Sequence, residues 1–253
     1  CDRYQGLMKK QDKIRVNFQE FKVAEQNSWV LPAWGYPMSA CIMPVFSLYK
    51  GKLTPVGTSF LISKFGLIAT AAHVIQEALR EATMVHQAIV NGSCEKELSV
   101  ENVELFVLHQ SILEDGKFRA TIWPIVNVQI AYPTDVAFGC LKSPFSFPTM
   151  TFPLRPAAPR IGDTVFSMGY CESQYPDGGI PFQEVLAGKF DWNRDYSHRF
   201  MVMEGKTKAL FIEKFATGYA DGPCFMTDSD IKPGQSGGPV FNSEGSICGV
   251  NLG

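Results

Sequence analysis

The sequence contains no run of about eighteen apolar residues, the length that a membrane-spanning helix requires, because Lys64 interrupts the longest candidate. We therefore expect no membrane span. An excess of one charge is also missing, since the formal net charge is -2 and the pI is about 6.1. These values give no electrostatic reason to expect nucleic acid or an anionic membrane as a partner. With 45% apolar and 19% charged residues, the composition is that of an ordinary globular protein.

Regular cysteine spacing is absent as well. The sequence has seven cysteines, an odd number without a paired Cys-x-x-Cys motif, so zinc is not indicated and we expect no metal and no cofactor. They stand at positions Cys1, Cys41, Cys94, Cys140, Cys171, Cys224 and Cys248. Irregular spacing favours reduced thiols, and hence the cytoplasm or another reducing compartment. Cys1 leaves open a lipid-anchored location, as in the mature end of a bacterial lipoprotein.

A glycine-rich segment in the last part of the chain contains the best candidate for a nucleophile. Residues 233–239 have the letters PGQSGGP, which place Ser236 between glycines. Glycine adopts positive φ readily, so backbone N–H groups in such a segment can point at a substrate carbonyl. The N–H groups of Gly234 and Ser236 are the candidate oxyanion donors. A plain turn between two strands, with Ser236 as an ordinary turn serine, would explain the same letters.

A serine becomes a good nucleophile only when a base takes its proton and a third group orients that base. His73 follows the apolar run 59–69, and Asp135 stands at the entry to another apolar run. We predict that His73 acts as general base and then general acid, and that Asp135 accepts the other ring N–H. The structural alternatives are a core histidine at a strand end and an acid that caps a turn.

In the order His, Asp, Ser, three segments resemble those of the trypsin/chymotrypsin-like serine peptidases, and most of all the HtrA/Deg-type members. They are TAAHV at 70–74, TDVAF at 134–138 and PGQSGGPVF at 233–241, and the likeness extends over roughly residues 42–253. The resemblance implies an all-β fold of two six-stranded antiparallel β-barrels with the triad between them. It implies a serine endopeptidase that acts on proteins or peptides through an acyl-enzyme. An oligomer is possible but not indicated.

The resemblance and the turn signals together divide the chain into four parts. Residues 1–40 are an extension and lead-in, 41–143 the first barrel, 144–160 a proline-rich crossover, and 161–253 a second barrel that stops short of the family's usual C-terminal end. After His73, apolar residues recur at every third or fourth position, which predicts an inserted helix that ends near residue 92. Residues 184–190 are predicted to be a strand and 191–205 a long loop.

Two positions near Ser236 differ between branches of the family. Gln235 stands where the secreted animal enzymes have an acid that pairs with a newly cut N-terminus, so the resemblance predicts no activation of that kind. Asp230 stands six residues before Ser236, where trypsin-like members place the acid that selects Arg or Lys. A solvated turn is the alternative for Asp230.

The last residues of the chain, Asn251, Leu252 and Gly253, match the strand that pairs with the substrate backbone in the family. The other three histidines, His86, His109 and His198, lack the flanking pattern of His73, and we predict surface or boundary positions for them. A different class of function also remains open: a latent or inactive trypsin-like domain that serves as a binding or regulatory module.

Overall fold

The fold is taken from a computed structural model, which describes residues 23–25, 28–31, 37–80, 104–112, 118–142, 152, 154, 157–215 and 221–252. The strands in chain order are β1 (Val23–Glu25), β2 (Ser28–Leu31), β3 (Ile42–Tyr49), β4 (Lys52–Leu61), β5 (Leu67–Ala71), β6 (Glu104–Ile112), β7 (Phe118–Ala131), β8 (Val136–Leu141), β9 (Thr164–Gln174), β10 (Ile180–Pro181), β11 (Ser197–Phe211), β12 (Cys224–Thr227), β13 (Pro239–Asn242) and β14 (Ile247–Val250). The helices are a 3₁₀ turn (Pro37–Ala40), α1 (Ala72–Arg80), α2 (Phe182–Leu186) and α3 (Trp192–Asp195).

The strands form two antiparallel sheets. In the first, the order β4, β3, β6, β7, β8, β5 returns to β4, which closes a six-stranded barrel. In the second, the order is β1, β2, β11, β9, β13, β14, with β12 also paired to β11. This second sheet curls into a half-barrel without a closing pair among the described residues. The all-β double-barrel prediction is confirmed.

Alternating side chains explain how the strands pack. In β8 the pattern alternates between more and less buried positions, as expected of a strand with one face toward a core. In β3 the first six residues are all buried, because one face points into the barrel and the other toward the second sheet. Met43 and Val45 belong to the barrel core, whereas Ile42 packs with residues of the second sheet.

The two sheets share a core that positions the site. From the first sheet come Ile42, Phe60 and Ala69, and from the second come residues of β9, β11 and β13. The largest fully buried members are Tyr170, Phe60, Phe200 and Phe241. Tyr170 also donates its hydroxyl hydrogen to the carbonyl oxygen of Ile42, at 3.0 Å. The sheets are thus joined by apolar burial and by a buried hydrogen bond.

Two strands pair with strands from a different predicted part of the chain. β2 pairs with β11, with Leu31 opposite Phe200, so part of the predicted extension and lead-in is a strand of the second sheet. β10, from the predicted second barrel, pairs with β4 of the first, with Ile180 opposite Leu53. The predicted boundaries therefore separate residues that belong to one sheet.

Two predictions for the second half are wrong. The segment 184–190 is not a strand, because α2 occupies its first part. The segment 191–205 is not a loop, because it contains α3 and the first nine residues of β11. The helix predicted after His73 is present but begins one residue before it, at Ala72, and its predicted continuation beyond Arg80 lies outside the described residues. None of the described helices is both long and apolar enough to cross a membrane.

Candidate active site

His73 and Asp135 form a hydrogen-bonded pair on the first barrel. His73 is the second residue of α1, directly after β5, and Asp135 lies in the turn between β7 and β8. The Nδ1 atom of His73 lies 2.5 Å from Oδ2 of Asp135. The side chains are 29% and 14% exposed, respectively, so the pair is shielded but reachable. A short contact of this kind fixes the imidazole tautomer and orientation.

Asp135 is itself held by the first turn of α1. Its Oδ1 atom accepts the backbone N–H of His73 at 2.8 Å, and its carbonyl oxygen accepts the N–H of Ala72 at 3.1 Å. These N–H groups have no partner within the helix, and the helix N-terminus favours a negative charge. The same carboxylate therefore caps the helix and orients the ring of His73. The strand-to-helix junction delivers both contacts.

The backbone around Ser236 requires glycine at several positions. Gly234 and Gly237 have φ values of +95° and +85°, in the left-handed region that other residues avoid. A Cβ at Gly238 would lie 1.9 Å from the carbonyl oxygen of Met168. Ser236 sits between these glycines and is partly exposed. The sharp turn thus presents one hydroxyl on a backbone packed tightly against β9.

The hydroxyl of Ser236 donates to the carbonyl oxygen of Leu252 at 3.4 Å. This distance is at the long end for an O–H···O hydrogen bond, so the contact is weak. Among the hydrogen bonds of the described residues, none uses the N–H of Gly234 or the N–H of Ser236 as donor. Two N–H groups that flank the hydroxyl are therefore available to an oxygen placed beside it.

Gln235 is fully buried, and its side chain contacts the loop before Ser236 and strand β11 of the second sheet. Its Oε1 atom accepts the N–H of Lys232 at 2.7 Å, and its Nε2 atom donates to the carbonyl oxygen of Met201 at 3.5 Å. Its backbone N–H donates to the carbonyl oxygen of Lys232 at 3.0 Å. The neutral amide therefore closes the loop before Ser236 through its hydrogen bonds with Lys232 and Met201.

Thr58 is a site residue that our sequence analysis missed. Its backbone N–H donates to the carbonyl oxygen of Ser236 at 2.8 Å, and its hydroxyl donates to the carbonyl oxygen of Gly234 at 2.8 Å. Thr58 lies on β4 of the first barrel and is fully buried. The only signal in the sequence is its place in an apolar run, which does not distinguish it from an ordinary strand threonine.

Asp230 does not lie at the bottom of a buried pocket. Its side chain is 75% exposed and pairs with the ammonium group of Lys232. An acid that selects a basic substrate side chain must be desolvated and aimed into a pocket. The observed position matches the alternative of a solvated turn, and the predicted role of Asp230 in binding substrate is not supported.

The C-terminal residues have structural contacts. Asn251 is buried, and its side-chain amide donates to the carbonyl oxygens of Met168 and Gln235 at 3.2 and 3.4 Å. Its backbone also exchanges hydrogen bonds with Gly237 and Gly238 at 2.8 Å. These contacts hold the loop that contains Ser236 in place. Because they occupy the side chain and the backbone of Asn251, they argue against a direct role for this residue in binding substrate. Leu252 contacts Ser236 as described, and Gly253 lies outside the described residues.

His109 and His198 are buried, which contradicts the prediction of surface or boundary positions. The Nδ1 atom of His198 lies 2.8 Å from the hydroxyl of Tyr196, and its Nε2 atom lies 3.3 Å from Nε2 of Gln110. Burial lowers the pKa of His198 to about 3, and burial with the nearby Arg119 lowers the pKa of His109. Both rings are therefore neutral at physiological pH. His86 lies outside the described residues, and no described cluster of His, Cys, Asp or Glu could hold a metal ion.

Both the sequence and the fold are similar to those of known proteins. The family described as trypsin-like peptidase domain matches residues 57–250. The fold is similar to the crystal structure of Deg5, with 18% identity, a TM-score of 0.51 and coverage of 85% of this chain and 80% of that one. It is also similar to the apo MamO protease domain from Magnetospirillum magneticum, with 17% identity, a TM-score of 0.50 and 85% coverage of both chains.

A search of curated proteins found none with significant sequence similarity. The two structural likenesses concern the fold, whereas the family match concerns the sequence itself and spans the segments that contain His73, Asp135 and Ser236. Because that match covers well over half of the residues, the chain belongs to the trypsin-like peptidase domain family.

Proposed function

We propose that the protein is a serine endopeptidase in which Ser236, His73 and Asp135 form the catalytic triad. The observation that carries the proposal is the 2.5 Å contact between Nδ1 of His73 and Oδ2 of Asp135. A carboxylate at this place keeps a proton on Nδ1, so that Nε2 is free of hydrogen and can act as a base. The family match supports the same chemistry.

The proposed reaction has two halves. Oγ of Ser236 attacks the carbonyl carbon of a peptide bond while its proton moves to Nε2 of His73. Asp135 stabilises the imidazolium, and the N–H groups of Gly234 and Ser236 donate to the oxygen that becomes negative. His73 then returns the proton to the leaving amine, which leaves an acyl-enzyme. Water, deprotonated by His73, releases the acid and restores Ser236.

Before the attack, the hydroxyl of Ser236 must exchange its hydrogen bond partner. It donates to the carbonyl oxygen of Leu252, and the reaction requires it to donate to Nε2 of His73. The 3.4 Å length makes this exchange inexpensive. The direction of the hydroxyl toward Leu252 also favours a second candidate function, a latent domain in which a partner must bind before the hydroxyl turns to His73.

Fluorophosphonate labelling separates the two functions. We expect the purified protein to be labelled, and expect Ser236→Ala and His73→Ala to abolish labelling with the fold intact by circular dichroism. Ser243→Ala is the matched control, since Ser243 is an exposed serine in the turn after β13, and it should label at the wild-type rate. Labelling that survives in Ser236→Ala would refute the assignment of the nucleophile, and a folded wild type without labelling would favour the latent domain.

Peptide-library cleavage tests the substrate class. Since Asp230 is exposed and paired with Lys232, we propose that the enzyme does not depend on Asp230 for selecting basic residues. Asp230→Asn should leave the cleavage profile unchanged. A loss of cleavage after Arg or Lys in that variant would restore the role that the sequence predicted. A reducing compartment is also part of the proposal, supported by the free thiols of Cys140, Cys171, Cys224 and Cys248.

A further inference from the structure

The hydroxyl of Thr58 joins the first barrel to the loop that precedes Ser236. It donates to the carbonyl oxygen of Gly234 at 2.8 Å and accepts the backbone N–H of Tyr170 at 3.0 Å. A hydroxyl can donate one hydrogen bond and accept others at the same time, so these two hydrogen bonds form together. The oxygen therefore bridges three segments: β4 of the first barrel, β9 of the second sheet, and the loop.

The backbone of Thr58 adds further contacts that immobilise it. Its N–H donates to the carbonyl oxygen of Ser236 at 2.8 Å, and its carbonyl oxygen accepts the hydroxyl of Thr70 at 2.7 Å. A Cβ at Gly237 would lie 2.1 Å from the same carbonyl oxygen. Since Thr58 is 0% exposed, water cannot replace these bonds. Thr58 is therefore held rigidly, and it contacts the loop at Gly234 and at Ser236.

The held carbonyl belongs to a backbone unit with little intrinsic preference for its conformation. Gly234 has a φ of +95°, and glycine samples both signs of φ with similar ease. A rotation about Gly234 would turn its N–H away from the place beside Ser236. Fixing the carbonyl oxygen of Gly234 at one side and the N–H of Gln235 at Lys232 on the other removes that freedom.

We propose that Thr58 is a positioning residue, whose hydroxyl holds Gly234 so that the N–H groups of Gly234 and Ser236 converge on the substrate oxygen. This inference rests on the proposed peptidase function. It assigns to a strand of the first barrel the control of the oxyanion donors, which lie in the loop between β12 and β13. Thr58 contacts neither substrate nor the reacting atoms, so its effect must appear in the rate of the chemical step rather than in binding.

The test compares Thr58→Val with Thr58→Ser, using the kinetics of labelling by a peptidyl fluorophosphonate. Valine has nearly the shape of threonine without the hydroxyl, whereas serine keeps it. We expect Thr58→Val to lower the maximal labelling rate roughly 10- to 100-fold, with the half-saturating concentration within about twofold of wild type. Thr58→Ser should restore most of the rate.

Thr207→Val is the matched control. Thr207 is also fully buried, but its Oγ1 atom has no hydrogen bond partner among the described residues, so the same change there removes a hydroxyl without breaking a described hydrogen bond. We expect a wild-type labelling rate. An unchanged rate in Thr58→Val, or an equal loss in Thr207→Val, would overturn the proposal. If Thr58→Val fails to fold, Thr58→Ala removes the same hydroxyl with less bulk.

Hydrogen exchange provides a readout that needs no activity. In Thr58→Val the hydrogen-bonded amides of Gln235, Gly237 and Gly238 should exchange at least about tenfold faster, whereas those of Phe118–Ala131 should exchange as in wild type. Faster exchange throughout the chain would indicate a general loss of stability and contradict a local role. A folded wild type that is never labelled would refute the peptidase function, and unchanged exchange in the loop would then separately refute the role of Thr58.

Discussion

Gly237 offers a prediction in which conformational strain and steric clash can be measured separately. Gly237→Ala places a Cβ 2.1 Å from the carbonyl oxygen of Thr58 and 2.2 Å from the hydroxyl of Thr70, at a φ of +85°. Gly162→Ala makes the same change at a φ of +90°, where nothing lies within 4 Å of the new Cβ. The two variants share the backbone strain, and only one has the clash.

The expected magnitudes follow from those contacts. Left-handed backbone costs a non-glycine residue about 1–2 kcal/mol, so Gly162→Ala should lose about that much stability. Overpacking of a tight interior adds about 1–3 kcal/mol or more, and contacts of 2.1 and 2.2 Å place Gly237→Ala toward the upper end of that range, so this variant should lose at least about 3 kcal/mol. For a chain of this size 1 kcal/mol corresponds to roughly 2 °C in melting temperature. We therefore expect the melting temperature to fall by roughly 2–4 °C in Gly162→Ala and by at least about 6 °C in Gly237→Ala.

Thermal unfolding followed by tryptophan fluorescence measures both shifts under identical conditions. Gly51→Ala is a further reference, since its φ is +76° and its surroundings are also open. Equal shifts in Gly237→Ala and Gly162→Ala would show that the loop yields freely at Thr58. That result would refute the reasoning that the serine loop is closely packed against the first barrel.

Three further predictions concern charge and protonation. Asp135→Asn should lower the rate of fluorophosphonate labelling by about 10³–10⁴-fold, because an amide N–H facing Nδ1 of the catalytic histidine forces the proton onto Nε2. Gln235→Glu should destabilise the fold by about 1–3 kcal/mol at pH 8, because the introduced carboxylate faces the carbonyl of Met201. This loss should shrink as the pH falls, since burial raises the pKa of the new carboxyl and its protonated form can donate. His198→Gln should flatten the acid loss of stability, because the pKa of His198 is lowered to about 3, so only the unfolded state binds that proton between pH 6 and 4. The wild type should lose up to about 1.4 kcal/mol per pH unit more than the variant there.

Each of these has a result that would contradict it. Wild-type labelling in Asp135→Asn would show that the tautomer of His73 does not govern the reaction. A destabilisation of Gln235→Glu that grows toward acid pH would mean that the new carboxyl stays ionised. Parallel curves of unfolding free energy against pH for wild type and His198→Gln, from urea titrations, would show that His198 takes up its proton in the native state.

The sequence predicted the parts of the site that depend on local pattern. Asp135 follows a turn and His73 follows an apolar run, and each therefore stands at the end of a strand, where the barrel brings them together. The glycines around Ser236 predict backbone with positive φ, and Gly234 and Gly237 have it. Strand ends and glycine conformation are local properties, so one segment at a time is enough to recognise them.

The failures lie where pairing is distant in sequence. β11 begins with Ser197, His198 and Arg199, polar letters that predict a loop, yet it pairs with β9 and buries His198. Local propensity could not reveal this, because the pairing itself creates the buried environment. Thr58 was missed for the same reason, since its role depends on Gly234, which is far away in the chain.

The exchange of strands between the two halves has a consequence for how the chain folds. β2 must wait for β11 before it can join the second sheet, and β10 completes the edge of β4 from the other half. Pairings between such distant segments carry a large entropic cost of loop closure and slow the search for the native topology. Cutting the chain in the proline-rich segment 144–160, which the sequence predicts to be a crossover, would therefore yield two fragments that each lack a strand held by the other. We expect them to stay incomplete when expressed apart and to recover the native sheets only when they are refolded together.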